Sequence, residues 1–294
     1  MERGPEELDF LRSGVNLGLW AKYIVSGFMI GFHKGTRRGT GSEFSQYRSY
    51  QPGDDIRQID WKMFARSDRY YIKESETESS VTVRFFLDAS ASMKYEEDGI
   101  SRFRYASLVT AALGTLVSQQ GDAIALHLVN NEDQQFLREK RGKAHLSRFV
   151  QMIEDGKCEG NWPESSNWLV ESLTSHNREI WVICSDLLDG HNRWKKFVEM
   201  SEYIGHEVLF LQILGENEIN LNLPDNVTVQ DPESERRLNI RPQTVRKQYL
   251  QNLNNYLGEL KTALMSEKTS LELLQMNEPV QKALYRFLKK RERE

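Results

Sequence analysis

The segment that most constrains the fold is Val81–Leu87, which is almost entirely apolar, β-branched or aromatic. A run of this length and composition predicts a strand that is buried on both faces. Three further strand patterns follow, at Ala123–Val129, Glu179–Ser185 and Glu207–Leu214, and they are separated by segments with helical periodicity. Strands that alternate with helices in this way predict a doubly wound, mainly parallel α/β sheet.

Oxygen-bearing side chains follow two of these strands. Asp88, Ser90 and Ser92 come directly after the first strand, and Asp186 follows Glu179–Ser185. Because crossovers between parallel strands are right-handed, the carboxyl ends of the strands share one edge, where ligands bind. Carboxylate and hydroxyl oxygens suit a hard divalent cation. A structural reading stays open, in which the serines cap a helix and the aspartate accepts backbone N–H groups.

Composition narrows the class of protein. The chain has 294 residues with 43 acidic and 39 basic side chains, a balance that argues against a dedicated nucleic-acid binder. Cys158 and Cys184 form no CxxC motif and predict reduced thiols in a cytoplasmic protein. The acidic amino terminus is unlike a signal peptide. Residues 15–32 are apolar, but Lys22 near their centre favours a buried or partner-facing helix over a membrane span.

The sequence divides into three predicted segments. Residues 1–80 hold N-terminal helices, a basic loop at 33–41 and a dense polar and aromatic run at 43–66, all packing on the main domain. Residues 81–215 form the α/β core. Residues 216–294 add a hairpin and C-terminal helices that pack on the core. The run at 43–66 has two readings: a structural clasp that holds this segment against the sheet, or a catalytic or partner-binding patch.

Two motifs carry a family resemblance. The pattern DxSxS at Asp88, Ser90 and Ser92, after an apolar strand, resembles the metal-ion-dependent adhesion site of von Willebrand factor A domains. The run that contains PGDDIRQIDW and Ala65-Arg66, together with the later CSDLLDG, is similar to the bacterial domain of unknown function 58 family. The resemblance extends roughly from Gly35 to the carboxyl terminus.

The resemblance implies both a fold and a function. It implies a von Willebrand factor A-like domain with a magnesium ion, or alternatively manganese or calcium, held by Asp88, Ser90, Ser92 and Asp186. It also implies a non-enzymatic interaction module that acts with a MoxR-type AAA+ ATPase in assembly or regulation. One feature departs from the adhesion-site pattern. The usual threonine ligand is missing, and only Ser165 or Ser166 could supply a hydroxyl in its place.

Two other functions remain open at this stage. A metal-independent adaptor would use the basic loop at 33–38 or the charged run at 44–66 as its contact surface. A serine hydrolase would need a histidine base near Ser90 or Ser92, and His191 is the candidate. Because no GxSxG motif is present, we expect no enzymatic activity.

Overall fold

The computed structural model describes most of the chain. The chain divides into two compact units. The larger unit comprises residues 1–31 and 81–294, and the smaller comprises residues 32–80. The predicted first segment, 1–80, is therefore shared between the two units. The described residues are 11, 16–35, 46–51, 54, 56, 59–74, 81–131, 135–164, 179–188, 195, 198–200, 204–230, 236–264 and 266–291.

Helix α1, Leu17–Gly35, covers the segment that was considered as a membrane candidate. Leu17, Ala21, Ile24 and Val25 are buried, at intervals that place them on one helical face. The backbone N–H of Leu17 donates to the Glu154 carboxylate at 2.6 Å, which satisfies one of the free donors of the first turn. Within the described part of the chain, every helix is too short or too polar to cross a bilayer.

The described residues of the smaller unit include a two-stranded antiparallel sheet and a short helix. Strand β1, Gln46–Ser49, pairs with β2, Tyr71–Glu74, and helix α2, Trp61–Ser67, lies between them in the chain. Asp60 caps α2, since its carboxylate accepts the N–H groups of Lys62 and Met63 at 2.9 and 3.0 Å. The N–H of Asp60 in turn donates to the carbonyl of Tyr71 at 2.9 Å, which ties the helix to β2.

The larger unit is built on a sheet in which six strands are described. The bounds of the sheet strands are Thr82–Asp88 for β3, Ala123–Val129 for β6, Gln135–Lys140 for β7, Glu179–Ser185 for β8, Glu207–Leu214 for β9 and Thr269–Gln275 for β12. Their order in the sheet is β12-β9-β8-β3-β6-β7, and only the β6–β7 pair is antiparallel. The predicted doubly wound, mainly parallel α/β class is confirmed.

The remaining elements of this unit are helices and two small hairpins. Helix α3, Arg102–Gln119, packs against β3, and the Ser101 hydroxyl caps its amino end by accepting the N–H of Arg104 at 3.1 Å. The bounds are Glu96–Glu97 for β4, Ile100–Ser101 for β5, Arg102–Gln119 for α3, Lys143–Asp155 for α4, Glu216–Asn220 for α5, Val227–Gln230 for β10, Arg237–Ile240 for β11, Pro242–Leu264 for α6 and Val280–Arg291 for α7.

Two elements that the sequence did not reveal lie beyond residue 215. Strand β12 pairs in parallel with β9, so the core sheet extends past the predicted limit of the core. Most of β12 is only partly covered, and its weak apolar pattern reflects that position at the edge of the sheet. The five-residue helix α5 follows β9 directly and is too short for helical periodicity to show.

The strand order reverses between β3 and β8, and we call the carboxyl ends of these two strands the crevice. The chain leaves β3 for β6 on one side, whereas β8, β9 and β12 extend the sheet on the other. In doubly wound sheets the ligand site lies at such a reversal of strand order. Asp88 ends β3 and Asp186 follows β8, so both predicted carboxylates stand at this crevice.

A buried ionic network joins the opposite, amino ends of the same two strands. Arg84 of β3 donates to both oxygens of Glu179 at 2.8 Å, and neither residue is exposed to solvent. Arg84 also contacts Glu139 at 3.1 Å and the Nε2 atom of His127 at 3.4 Å. The indole N–H of Trp181 donates to Glu179 at 3.1 Å. The network therefore links four adjacent strands, β7, β6, β3 and β8.

His127 makes the stability of the fold dependent on pH. Burial, with a smaller contribution from the neighbouring Arg84 charge, lowers its pKa from an ordinary value of 6.5 to about 3, against the opposing effect of Glu139. The unfolded chain binds a proton near pH 6.5, whereas the folded chain stays neutral at this position. Lowering the pH from 6.5 towards 3 therefore favours the unfolded state.

We expect the free energy of unfolding to fall by up to about 2 kcal/mol more in the wild type than in His127→Gln between pH 7.5 and pH 5.0. Glutamine can still accept a hydrogen bond from Arg84 but does not titrate. Urea denaturation at the two pH values gives the difference. Equal losses of stability in the two proteins would contradict a pH dependence that arises from His127.

Candidate functional site

Asp88 lies at the centre of the crevice and is almost fully buried. Its Oδ1 atom accepts the backbone N–H of Ser90 at 2.9 Å, and its Oδ2 atom accepts the hydroxyl of Ser185 at 2.6 Å. The Ser185 oxygen also accepts the N–H of Leu187 at 3.1 Å. Both carboxylate oxygens are thus held in place by groups from β8 and from the turn after β3.

Ser90 precedes, and Ser92 lies in, a turn of 3-10 helix, Ala91–Lys94, that follows Asp88. Their hydroxyl oxygens are 3.0 Å apart, and Ser90 is buried while Ser92 is partly exposed. The turn is fastened to a neighbouring loop, because the N–H of Ala91 donates to the carbonyl of Gly160 at 2.8 Å. The two hydroxyls are therefore fixed beside the Asp88 carboxylate.

Asp186 follows β8 and is also buried. Its Oδ1 atom accepts the N–H of Leu188 at 3.2 Å, and its Oδ2 atom accepts a hydrogen bond from the Arg102 guanidinium. Leu187, which lies between Asp186 and Leu188 in the chain, has φ +52°, a left-handed conformation that is rare for leucine. Its carbonyl accepts a hydrogen bond from the hydroxyl of Tyr256, so the turn is held by helix α6.

Arg102, the first residue of α3, connects the site to the next strand exit. Its guanidinium donates to Asp186, to Glu218 after β9, and to the backbone carbonyl of Ser92 at 3.2 Å. The guanidinium also lies over the ring of Tyr95, 4.9 Å from its centre. Arg102 is 1% exposed, so this cation is a fixed part of the site.

The electrostatic environment of Asp88 disfavours the negatively charged form of its carboxyl group. Burial and, to a smaller extent, the negative charge of Asp186 together raise the pKa of Asp88 to about 7. Hydrogen bonds from Ser185 and Ser90 act in the opposite direction. The carboxylates of Asp88 and Asp186 thus lie close enough to repel each other, and a bound cation would relieve that repulsion.

Glu97 and Glu218 form a second layer of acidic side chains. Glu97 accepts the hydroxyl of Tyr95 at 2.8 Å and the N–H groups of Glu216 and Asn217, both at 3.1 Å. Glu218 accepts the N–H of Gly215 at 2.8 Å and a hydrogen bond from Arg102. These contacts fasten helix α5 to the rim of the crevice.

The structure brings the four residues that were predicted at this edge, Asp88, Ser90, Ser92 and Asp186, to the same crevice. The sequence did not indicate the residues that hold them, which are Ser185, Arg102, Glu97 and Glu218. Glu218 could have been found by the rule that located the two aspartates, since it lies four residues after a strand ends. Ser165 and Ser166, the candidates for the missing threonine, lie outside the described residues.

The donor set fits a hard divalent cation. Asp88, Ser90, Ser92 and Asp186 offer only oxygen atoms, as Mg²⁺, Mn²⁺ and Ca²⁺ prefer. Burial and the negative charge of Asp186 raise the pKa of Asp88, whereas Asp186 itself accepts a hydrogen bond from the Arg102 guanidinium. The role of the four residues as metal ligands stays a prediction.

The described residues offer little for covalent catalysis. His127, His145 and His206 are buried, and in the part of the chain that the structure describes no histidine is hydrogen-bonded to Ser90 or Ser92. Burial raises the pKa of Cys184 to about 12, so this thiol stays protonated. His191, on which the hydrolase reading depends, lies outside the described residues.

The fold and the site define a mainly parallel α/β protein with an acidic, hydroxyl-bearing crevice at the reversal of strand order. The chain belongs to the family described as protein of unknown function DUF58, whose pattern matches residues 46–256. The predicted family is confirmed. An uncharacterized protein of Mycobacterium tuberculosis is 25% identical over 227 residues, which cover 74% of this chain and 69% of that protein.

The solved structures to which the chain is similar have low sequence identity to it. The conserved hypothetical protein BatB from Bacteroides thetaiotaomicron is 14% identical with a TM-score of 0.46, over 73% of this chain and all of that one. An aerotolerance-related membrane protein from Bacteroides fragilis is 16% identical with a TM-score of 0.45, over 72% of this chain and all of that one. The SpRpn10 VWA domain is 10% identical with a TM-score of 0.42, over 70% of this chain and 94% of that one.

Proposed function

We propose that this chain is a non-enzymatic protein-interaction module whose contact surface is the carboxyl edge of the sheet. In this proposal Asp88, Ser90, Ser92 and Asp186 hold a divalent cation, with magnesium as the first choice and manganese or calcium as alternatives. The observation that carries the proposal is the buried pair of carboxylates beside two serine hydroxyls at the reversal of strand order.

The residues of the site have separable tasks. Ser185 and the N–H of Ser90 fix the orientation of the Asp88 carboxylate, and Arg102 with the N–H of Leu188 fixes that of Asp186. Two carboxylates and two neutral hydroxyls leave a bound cation incompletely ligated, so it can accept a carboxylate oxygen from a partner protein. The partner would therefore present an aspartate or glutamate to this edge.

The proposed partner is a MoxR-type AAA+ ATPase, and the proposed role is assembly or regulation in the cytoplasm. The family resemblance supplies the partner. Cys158 and Cys184 are both free thiols, as is usual for proteins of a reducing compartment.

Asp88→Ala should reduce capture of the purified MoxR-type ATPase at least tenfold in the presence of Mg²⁺. Removing the metal with EDTA should have the same effect on the wild type, because both changes abolish the bridging cation. A pull-down with the full chain measures the capture. Glu259→Ala, which removes an exposed carboxylate on helix α6, serves as the control and should leave capture unchanged.

Thermal melting shows whether Asp88→Ala is folded. Asp88→Asn is a second variant, whose side chain has nearly the same shape as aspartate. Undiminished capture by a folded Asp88 variant would reject the cation-dependent contact. Capture that is lost in the Asp88 variants but insensitive to EDTA would reject the cation and keep the edge as the contact surface.

A metal-independent adaptor is the second candidate, and the position of Arg102 favours it. Its guanidinium already neutralises Asp186 and contacts the Ser92 carbonyl, as a protein-supplied cation would. A ligand that binds the folded state raises the melting temperature. No rise of the melting temperature in excess Mg²⁺ or Mn²⁺ would favour the adaptor.

A further inference from the structure

An apolar groove with a volume of about 540 Å³ lies beside helix α5, between the β10–β11 hairpin and helix α6. Its size is within the range of binding clefts. Leu238 is 63% exposed and Val245 is 37% exposed, so part of this apolar surface faces solvent. The aliphatic lining consists of Leu221, Leu223, Val229, Leu238, Ile240 and Val245.

Apolar and polar side chains alternate along the β10–β11 hairpin, and the apolar ones form one wall of the groove. Val229 pairs with Leu238 and Val227 pairs with Ile240, so these four side chains share one face of the two strands. Thr228, Gln230, Arg237 and Asn239 take the opposite face. The hydroxyl of Tyr249 on α6 donates to the carbonyl of Glu218 at 2.7 Å, which fixes the opposite wall to α5.

The groove is continuous with the candidate site. Tyr95 and Glu218 line it, and both contact Arg102, which binds Asp186. A partner that reaches the carboxyl edge of the sheet can therefore extend into the groove without leaving the surface.

The segment that supplies half of the aliphatic lining is strongly basic. Residues 236–247 contain four arginines and one lysine and no acidic residue. Arg237, Arg241 and Arg246 donate to the neutral oxygens of Gln230, Asn226, Asn220 and Asn222. Among the described residues, no carboxylate lies within ion-pair distance of these three arginines. Their charge is available to a partner.

We infer that this groove docks an amphipathic segment of a partner protein, with apolar side chains in the groove and aspartates or glutamates against residues 236–247. Aliphatic anchors suit a groove lined by leucine, isoleucine and valine, and acidic residues complement the basic segment. Nucleic acid is disfavoured because aliphatic side chains are poor stacking platforms for bases. A concave groove also fits single side chains better than it fits a flat bilayer surface.

This inference deepens the proposed interaction function, but it does not depend on a cation. It rests on the proposed function only in that the partner is a protein. A test performed in EDTA therefore separates docking at the groove from binding through Asp88.

A library of random 12-residue peptides on phage, selected against the full chain in EDTA, tests the docking. We expect enrichment of peptides that combine leucine, isoleucine or phenylalanine with aspartate or glutamate. Fluorescence anisotropy of the selected peptides should show at least tenfold weaker binding to Leu238→Ser and a marked loss of affinity for Arg241→Gln/Arg246→Gln. Tyr285→Ser removes an apolar side chain that is 41% exposed on α7, away from the groove, and should leave binding unchanged.

Three outcomes would overturn the inference: no enrichment, enrichment of peptides without acidic residues, or equal binding to Leu238→Ser. Binding of phosphatidylglycerol vesicles or of RNA in place of peptides, with the same dependence on Leu238, would also overturn it. Circular dichroism of Leu238→Ser shows whether the variant is folded, and its exposed position means that the substitution leaves the core intact. Peptide binding in EDTA that Mg²⁺ leaves unchanged is the result expected of the groove, because this docking does not depend on a cation.

Discussion

Arg84→Met is expected to lower the free energy of unfolding by about 3–5 kcal/mol, because it leaves Glu179 buried without its cation. Glu179 is fully buried and accepts two hydrogen bonds from Arg84 at 2.8 Å. An uncompensated charge in this position must either be protonated or admit water, and both reduce stability. Chemical denaturation at pH 7.5 measures the loss.

The double variant Arg84→Met/Glu179→Gln distinguishes the stranded charge from lost packing. Glutamine carries no charge and can still accept the indole N–H of Trp181, which donates to Glu179 in the wild type. We expect the double variant to recover more than half of the stability lost in Arg84→Met. If Arg84→Met stays within 1 kcal/mol of the wild type, the network contributes little to stability.

Arg102→Met is expected to produce a loss of similar size, about 3–5 kcal/mol in EDTA, since it removes the cation shared by Asp186 and Glu218. At this end of the sheet the loss should be partly reversible. Because the substitution makes the crevice more negative, Mg²⁺ should raise the melting temperature more in Arg102→Met than in the wild type.

Arg148→Met provides the matched control, because Arg148 is exposed on helix α4. It should change stability by no more than about 0.5 kcal/mol. Wild-type stability of Arg102→Met would contradict the ionic link between the strand exits. Destabilisation without any response to Mg²⁺ would keep that link but count against a cation site.

The sheet could be predicted from the sequence because its central strands are buried on both faces. Strands β6, β8 and β9 have the predicted bounds, since most of their residues are apolar and buried. The same criterion failed for Thr269–Gln275, the edge strand, where most side chains are partly exposed. The ion pair of Arg84 could not be predicted, because a charge within an apolar run does not indicate which residue will neutralise it when it is buried.

The site was predictable where it follows from strand ends. Asp88 and Asp186 were located because acids that follow parallel strands meet at one edge. Arg102 was not located, because nothing in a helical sequence indicates which strand exit its first residue will contact. Ser185 was also missed, since the hydrogen bond from its hydroxyl to Asp88 depends on the register between β3 and β8.

The position of a bound cation in a crystal of the full chain grown with Mn²⁺ tests the proposed function most directly. We expect an anomalous scattering peak within about 2.0–2.6 Å of an oxygen of Asp88 and of at least one of the Ser90 and Ser92 hydroxyls, a separation typical of divalent cations and their oxygen ligands. The peak should be absent from crystals of Asp88→Asn. A wild-type crevice without a peak in excess Mn²⁺, with Arg102 still bound to Asp186, would contradict a cation-dependent contact surface.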